Sequence, residues 1–244
     1  MKQFLQMSLC LLLFSQTAMS GELKFFSANF PPYTYPTEKG GAGAIHDVVL
    51  EIIKRNQYKN KIEFIPWARA RFEAENNPDI VLIPLARTKE REEKYTWLLH
   101  VLDDPYVIVA LKESKVDIST LESSKKLKIG ILTGSVADAL LRELGFTNLE
   151  VASNDVQNVK KLKLGRIDAW VAPLSGLSQY KKDADMDRKD MRVGAELTVL
   201  REYVGASKAL DKEQVLRWQK TFAEMKKDGS YQAIMKKYGL TPLK

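Results

Sequence analysis

Hydrophobic residues follow two alternating patterns along the chain after residue 22. Short, mostly apolar runs predict β-strands, whereas apolar residues spaced three or four positions apart predict amphipathic helices. The clearest helix carries Ile45, Val48, Val49, Ile52 and Ile53 on one face. Strands are predicted at 23–28, 61–65, 79–83, 106–111, 127–132, 149–152 and 167–172, and helices at 45–53, 136–144, 156–164, 211–227 and 230–238.

The alternation of strands and helices predicts an α/β fold. Strand–helix–strand units form parallel sheets that are covered by helices on both faces. The pattern starts again at residue 127, so we expect two α/β lobes joined near residues 110–115. In an open α/β sheet, ligands bind beyond the carboxyl ends of the strands. The loops after Ala28, Ile65, Ile83, Leu132 and Ala172 are therefore the places to look for a site.

The first 20 residues have the pattern of a secretory signal peptide. Lys2 precedes a mostly apolar stretch at 4–14, and Ala18 and Ser20 suit the small-residue cleavage positions. The alternative is a membrane anchor, but a span needs roughly 20 apolar residues and this run has about half of that. We expect cleavage and a free periplasmic protein of about 224 residues.

The single cysteine and the net charge limit the kinds of site that the mature chain can contain. Cys10 is the only cysteine and leaves with the leader, so the mature chain has no disulfide, thiol nucleophile or cysteine metal ligand. The net charge is +7, with basic residues spread along the chain. Solvated helix faces explain this spread better than a nucleic-acid surface does, although a basic field favours anionic ligands. No nucleic acid, metal or cofactor is predicted.

Aromatic and basic residues follow the first two strands. Two prolines stiffen the loop that holds Phe30 and Tyr33, so either ring is placed to stack on a ligand or to pack in the core. Trp67 opens a helix that also carries Arg69 and Arg71. These arginines supply donors for a carboxylate or phosphate, but they point to different helix faces, so at most one faces a cleft. The alternative is surface arginines near a buried Trp67.

Two further segments offer anion-binding groups. Thr88 reads as a helix cap before Arg91, which either binds a ligand or pairs with an acid in its own helix. Gly134 and Ser135 place backbone amides and a hydroxyl at the start of a helix, which favours an anion. The segment is not a P-loop, because the Gly-Lys-Ser/Thr ending is absent.

Signals for catalysis are weak. His46 and His100 stand alone in the sequence, without a metal-binding spacing. Ser175 does not lie in a G-x-S-x-G nucleophile elbow and is interpreted as a helix cap. Acidic residues near the predicted strand ends are few, which disfavours a general acid or base in a cleft. We therefore expect a binding protein and not an enzyme.

The order of motifs resembles the extracellular solute-binding proteins of family 3, which serve polar amino acid ABC importers. The resemblance covers essentially the whole mature chain. The matching segments are 30–33 (FPPY), 43–48 (GAIHDV), 88–91 (TKER) followed by 104–106 (DPY), 130–135 (GILTGS), 164–169 (LGRIDA), and the closing helices from 225 (MKKDGSY) to 239 (KYG).

This resemblance implies the type II periplasmic binding protein fold, in which two lobes are joined by two crossing hinge segments. Lobe 1 would comprise residues 22–108 and 203–244, and lobe 2 residues 109–202. The hinge segments would lie near 107–112 and 197–206, and closure around the ligand would be the working motion. In such binders the arginine of T-x-x-R holds the ligand carboxylate, which maps onto Arg91. Gly134 and Ser135 would support the same carboxylate, and Phe30 would cover the ligand.

The chain departs from the family pattern at the position that normally holds a ligand ammonium. Pro173 stands where an acid usually follows the G-x-[IV]-D-A motif, and Ala86 stands where small hydroxyl residues are usual. The ammonium group of a bound ligand would then be buried without an acidic partner, which would cost binding free energy. We therefore expect a small anionic, carboxylate-bearing ligand. The candidate ligand-binding residues are Phe30, Tyr33, Trp67, Arg69, Ala86, Arg91, Gly134, Ser135, Trp170 and Pro173.

Three functions remain open at this point. The first is solute binding for an ABC importer, with a membrane permease as the partner. The second is a ligand-sensing domain that reports to a separate membrane sensor. The third is a cyclohexadienyl-dehydratase-like enzyme, since that enzyme resembles the family in fold. In each case we expect a monomer that takes a small-molecule ligand.

Overall fold

The computed structural model of the protein describes residues 22–180 and 184–243. The predicted signal peptide and Cys10 lie outside these residues. The described strands are β1 Lys24–Ser27, β2 Tyr35–Thr37, β3 Gly40–Ala42, β4 Ile62–Phe64, β5 Ile80–Ala86, β6 Tyr95–Leu111, β7 Ile129–Leu132, β8 Leu149–Ala152, β9 Ala169–Pro173 and β10 Met191–Ser207. The helices are α1 Ala44–Arg55, α2 Trp67–Asn76, α3 Leu121–Ser124, α4 Val136–Glu143, α5 Asp155–Lys163, α6 Lys212–Lys227 and α7 Ser230–Lys237.

Eight of these strands form one sheet in the order β4-β1-β5-β10-β6-β9-β7-β8. At one end β1 pairs in parallel with β4 and β5, and at the other end β7 pairs in parallel with β8 and β9. Between these two parallel sets, β6 and β10 run antiparallel to each other and to their outer neighbours. The predicted α/β fold, with two mostly parallel halves and two crossings, is confirmed.

The two crossings are single long strands and not loops. Strands β6 and β10 each span 17 residues and pair with each other from Met191↔Leu111 to Ser207↔Tyr95. Only 106–111 was predicted as a strand, because the aromatic and polar residues at 95–97 and 103–104 break the apolar run. The pairing register shifts at several points, including the stretch between Val193 and Thr198.

The hydrophobic clusters also divide between the two halves of the sheet. One set of clusters draws on residues 23–102 and 204–240, and includes Phe25, Val81 and Trp218. The other set draws on residues 106–197. The apolar face of α1 is buried as predicted, with Ile45 and Ile52 fully inaccessible to solvent. Each such side chain contributes about 1.5–3 kcal/mol through burial. The exact lobe boundaries remain a prediction.

Local capping differs from the sequence-based interpretation at Thr88. Thr88 precedes only a 3₁₀ turn at Lys89–Arg91 and makes no side-chain cap hydrogen bond. Gly229, with φ 83°, is the N-cap residue of α7, and Ser230 is the first residue of that helix. The left-handed conformation at Gly229 is what separates α6 from α7. Within the described residues, no helix is long and apolar enough to cross a membrane.

Candidate functional site

A cavity lies between the two halves of the sheet, at the carboxyl ends of strands from both. The lining side chains come from loops after β1, β5, β7 and β9 and from the crossing strands. This is the position that the strand-end rule predicts for an α/β ligand site. The lining residues are Phe30, Pro31, Tyr33, Trp67, Pro84, Ala86, Arg91, Tyr106, Leu132, Thr133, Gly134, Ser135, Val136, Asp155, Pro173, Leu200 and Glu202.

Eight of the ten candidate residues line this cavity. They are Phe30, Tyr33, Trp67, Ala86, Arg91, Gly134, Ser135 and Pro173. The rings of Phe30 and Trp67 meet edge to face with centroids 5.4 Å apart, and form an apolar wall. The other two candidates, Arg69 and Trp170, lie elsewhere.

The loop that carries Phe30 and Tyr33 is fixed against the start of α1. The amides of Ala44 and Ile45 donate to the carbonyl oxygens of Pro32 and Tyr33, at 2.9 and 3.0 Å. Gly43 makes this approach possible, because a Cβ at its position would lie 2.3 Å from the Tyr33 carbonyl oxygen, and its φ is +126°. The aromatic side of the cavity is therefore held by backbone contacts.

Arg69 points away from the cavity. Its side chain is 69% exposed, and its Nε lies 3.9 Å from Glu73 one turn along α2. Arg71, on another face of the helix, lines the outer part of the cleft together with Arg91 and Ser135. Its guanidinium lies 3.4 Å from the Tyr95 hydroxyl and 3.6 Å from Glu75. Of the two arginines, Arg71 is the one that faces the cleft.

Trp170 is buried in the core instead of lining the cavity. It is fully inaccessible and packs edge to face on Tyr180, with ring centroids 5.1 Å apart. Its indole Nε1–H donates to Asp155 Oδ1 at 3.1 Å. Asp155 lines the cavity, so the hydrogen bond from Trp170 holds a carboxylate of the cavity wall from the core side.

Arg91 is a buried guanidinium in the wall of the cavity. The residue is 6% exposed, and Nη1 donates to the Ala86 carbonyl oxygen at 3.1 Å. Among the described residues it forms no ion pair, whereas its neighbour Glu90 pairs with Lys94. Burial lowers the pKa of Arg91, and the nearby Arg71 lowers it further. A buried cation in this state attracts an anionic ligand.

The Gly134–Ser135 segment faces Arg91 from the other half of the sheet. Ser135 caps α4, and its Oγ accepts a hydrogen bond from the amide of Asp138 at 3.1 Å. The Gly134 amide lies 3.4 Å from an Asp138 carboxylate oxygen, and Arg142 donates to the other oxygen at 2.7 Å. The helix start therefore lines the cavity, although Asp138 already satisfies part of its donor capacity.

Two acidic residues in the cavity were missed by the sequence interpretation. Glu202 on β10 is 4% exposed, and burial raises its pKa to about 7, with Asp104 adding to the rise and Arg91 opposing it. Asp155 begins α5, and burial raises its pKa as well. The expectation that acids near the strand ends are few was wrong. Alternation along β10, where Leu200, Glu202 and Val204 all face inward, is the signal that would have found Glu202.

A third buried acid joins the two halves of the sheet. Asp104 on β6 is 2% exposed and accepts hydrogen bonds from the hydroxyls of Tyr33 and Ser175. The Ser175 amide donates to its other carboxylate oxygen at 3.3 Å. Burial raises the pKa of Asp104, while these hydrogen bonds work against the rise. Ser175 is therefore not a helix cap, as interpreted from sequence, but a donor inside a 3₁₀ turn.

The histidines take no part in the cavity. His46 lies 3.0 Å from Asp47, and His100 lies 2.7 Å from Asp103 and stacks on Tyr203. Within the part of the chain that the structure describes, no cluster of histidine and acidic side chains is arranged to hold a metal ion.

The fold is the α/β fold of the type II periplasmic binding proteins, and the cavity lies between the two halves of its sheet. The family model of the bacterial extracellular solute-binding proteins, family 3, matches residues 25–241. The chain belongs to this family. No curated protein sequence matches it at a significant level.

Solved structures agree on the fold. A histidine kinase sensor domain similar to periplasmic binding proteins has a TM-score of 0.81 at 17% identity, covering 92% of this chain and 99% of its own. An ancestral arginine-binding protein bound to arginine has a TM-score of 0.75 at 22% identity, covering 90% and 99%. A putative L-cystine ABC transporter protein from Listeria monocytogenes has a TM-score of 0.75 at 19% identity, covering 88% and 94%.

Proposed function

We propose that this protein captures a small, carboxylate-bearing organic ligand between its lobes and closes around it by a hinge motion. The observation that carries the proposal is Arg91, a buried guanidinium that lines the cavity and has no ion-pair partner among the described residues. A carboxylate is the anion whose planar geometry best fits its paired N–H donors.

The surroundings of Arg91 support this proposal. Ser135 and the Gly134 amide approach from the opposite half of the sheet, so a ligand on Arg91 would contact both lobes. Phe30 and Trp67 supply an apolar wall beside it. Contacts from both sides are what a closing motion requires, because a ligand shifts the open–closed equilibrium only by binding the closed form more tightly. The lobes we propose are residues 22–108 with 203–244, and 109–202.

Delivery to an ABC permease is the proposed purpose of capture, with cleavage of residues 1–20 releasing the protein into the periplasm. The family is one of extracellular solute-binding proteins, and a structural neighbour is a putative ABC transporter protein. The sensor alternative rests on the likeness to a histidine kinase sensor domain. Pull-down of the ligand-bound protein with candidate permease or kinase partners in membranes would separate the two.

A thermal-shift screen with small carboxylic acids, amino acids and short peptides tests capture. A ligand at 100 times its Kd stabilises the folded protein by about 2.7 kcal/mol, which gives a clear rise in Tm. We expect Arg91→Ala to abolish the rise for every ligand found. Arg69→Ala is the matched control, because Arg69 is exposed and outside the cavity, and it should leave the rise unchanged.

Two results would overturn the proposal. If Arg91→Ala bound the ligand as tightly as the wild type, Arg91 would not be a ligand-binding residue. If the purified protein formed product from prephenate or arogenate, the protein would be an enzyme and not only a binder. The second test is worthwhile because Glu202 and Asp155 place carboxyl groups in the cavity, which a general acid or base would need.

A further inference from the structure

An outer cleft continues from the cavity towards the surface. It is lined on one side by Arg71 and Arg91 and on the other side by Ser135 and Asp138. Arg91 and Ser135 also line the cavity, so the two spaces are continuous. A ligand that enters this site therefore passes two guanidinium groups, Arg71 near the entrance and Arg91 further in.

The two guanidinium groups act on each other. Burial is the main cause of the lowered pKa of Arg91, and the positive charge of Arg71 lowers this pKa further. Two like charges at one partly buried site repel each other. Anionic groups of a ligand would remove this repulsion if one of them paired with each arginine.

Arg71 keeps donor capacity for a ligand. Its Nε lies 3.4 Å from the Tyr95 hydroxyl, and its Nη2 lies 3.6 Å from Glu75 Oε1. Both contacts are long, because hydrogen bonds between a guanidinium and a carboxylate usually measure about 2.7–2.9 Å. Glu75 also accepts a hydrogen bond from Tyr95, so its carboxylate is shared between two donors. The side chain of Arg71 is 26% exposed and lies in the wall of the cleft, where a ligand can reach it.

Arg69 does not share this position, although it precedes Arg71 by only two residues on α2. Residues two apart in an α-helix are rotated by about 200° from each other, so they lie on nearly opposite faces. Arg69 is accordingly 69% exposed and lies outside both the cavity and the outer cleft. It carries the same charge on the same helix, which makes it a matched control for Arg71.

The other charged groups leave the outer cleft with a positive excess. Among the described residues, its lining contains the cations Arg71, Lys89, Arg91 and Arg142 and the acids Glu90, Asp138 and Glu143. Asp138 pairs with Arg142 at 2.7 Å, and Glu90 pairs with Lys94 at 3.1 Å. Once these pairs are set aside, three cations and one acid remain. Such a cleft favours a ligand with more than one negative charge.

We infer that Arg71 is a specificity-determining residue that binds a second anionic group of the ligand, and that the ligand is a small dicarboxylate. One carboxylate would lie on Arg91 in the cavity, and the other would extend into the outer cleft to Arg71. A guanidinium offers paired donors that match the planar carboxylate. This inference rests on the proposed function, because it assumes a ligand carboxylate on Arg91.

Pairs of acids that differ only in the second carboxylate test the inference. Suitable pairs are glutarate with its monoamide and adipate with its monoamide, measured by calorimetry at about pH 6.5. Burial raises the pKa of Glu202 to about 7, so at this pH most of its carboxyl groups are protonated and do not repel the ligand. We expect the dicarboxylate of the better pair to bind at least tenfold more tightly than its monoamide.

Three variants show whether Arg71 is the cause of this preference. Arg71→Gln should lower the affinity for the dicarboxylate at least tenfold and leave the affinity for the monoamide unchanged. Arg71→Lys keeps the charge but not the paired donors, so its affinity for the dicarboxylate should lie between those of the wild type and Arg71→Gln. Arg69→Gln removes the same charge from the exposed face of the helix and should keep the full preference. Circular dichroism establishes that each variant is folded.

The outcomes separate this inference from the proposed function. If no carboxylic acid binds in an Arg91-dependent way, the capture proposal fails and the inference fails with it. If a monocarboxylic acid is captured but no dicarboxylate binds more tightly than its monoamide, only the inference is overturned. The same holds if Arg71→Gln and Arg69→Gln reduce the preference equally, since the effect would then be one of overall charge and not of contact.

Discussion

The hydroxyl oxygens of Tyr33 and Ser175 lie 3.4 Å apart, although the two residues are 142 positions apart in the chain. Tyr33 belongs to the loop after β1 and Ser175 to the turn after β9, so they come from opposite halves of the sheet. Both hydroxyls donate to the same carboxylate oxygen of Asp104. Gly176 extends this contact, since a Cβ there would lie 3.3 Å from the Pro31 carbonyl oxygen. The two halves are therefore tied beside the cavity.

Removing the serine hydroxyl should loosen this tie. We expect Ser175→Ala to lower the affinity for the best ligand about fivefold, because one hydrogen bond to a buried carboxylate is worth about 1 kcal/mol. Small-angle scattering of the ligand-free protein should show a larger radius of gyration. Ser178→Ala, an exposed position in the same turn, should match the wild type in both measurements. Equal affinities in Ser175→Ala and Ser178→Ala would show that the tie does not favour closure.

Glu202 should make the protein less stable as the pH rises. Its pKa is raised from 4.5 to about 7 by burial, so between these values the folded state keeps a proton that the unfolded state releases. The free energy of unfolding then falls across this window, by up to about 3 kcal/mol, and stays low above it. We expect Glu202→Gln to lack this fall. Urea unfolding without ligand at pH 5 and pH 8 measures it, and parallel pH profiles for the two proteins would contradict it.

Trp170 should affect binding without touching the ligand. We expect Trp170→Phe to lose the hydrogen bond to Asp155, leaving the cavity carboxylate less firmly placed, and to leave space in the packing against Tyr180. The variant should be less stable by about 2 kcal/mol and should bind the ligand several-fold more weakly. Denaturant unfolding and calorimetry measure the two effects. As a comparison, Trp218→Phe in the other core should lower stability while leaving affinity unchanged, because Trp218 lies outside the cavity.

Asp47 should stabilise the protein down to low pH. Partial burial alone would raise its pKa, but hydrogen bonds from His46, Lys237 and Tyr238 outweigh this and lower the pKa from 3.8 to about 2. The stabilisation is present above pH 3.8 and is lost as the pH falls towards 2. After allowance for solvent screening, we expect Asp47→Asn to cost about 1 kcal/mol at pH 7. Tyr238→Phe should give a smaller loss, and an unaltered acid-unfolding profile in Asp47→Asn would exclude the contribution.

The fold was predictable because its signals are local and repeated. The amphipathic face of α1 and the buried run of β5 appear directly in the residue pattern. The length of β6 was not predictable, because residues 95–105 carry polar and aromatic side chains that pair with β10 across a large sequence separation. Pairing between distant segments overrides the local pattern there.

The lining of the cavity was predictable where it depends on loops and not where it depends on strand register. Phe30, Arg91 and Ser135 lie in short segments directly after strands, so the strand-end rule locates them. The placement of Glu202 in the cavity depends on which face of a crossing strand is buried. The placement of Asp104 depends on its hydrogen bond with Ser175, which is 71 residues away in the chain. Arg69 and Trp170 were wrongly assigned to the cavity. Their positions in the sequence do not show in which direction their side chains point.

The crossing strands also carry acidic residues into the region of the proposed hinge. Asp104 and Glu202 lie on β6 and β10 themselves, and each acts electrostatically on the cavity between the lobes. If the lobes turn about these strands as proposed, ionisation of both carboxyl groups places two like charges at the axis of that motion, and, in addition to burial, Asp104 already raises the pKa of Glu202. A ligand that neutralised these charges would then favour closure, so the chemical identity of the ligand, and not only its size, would set how far the lobes close.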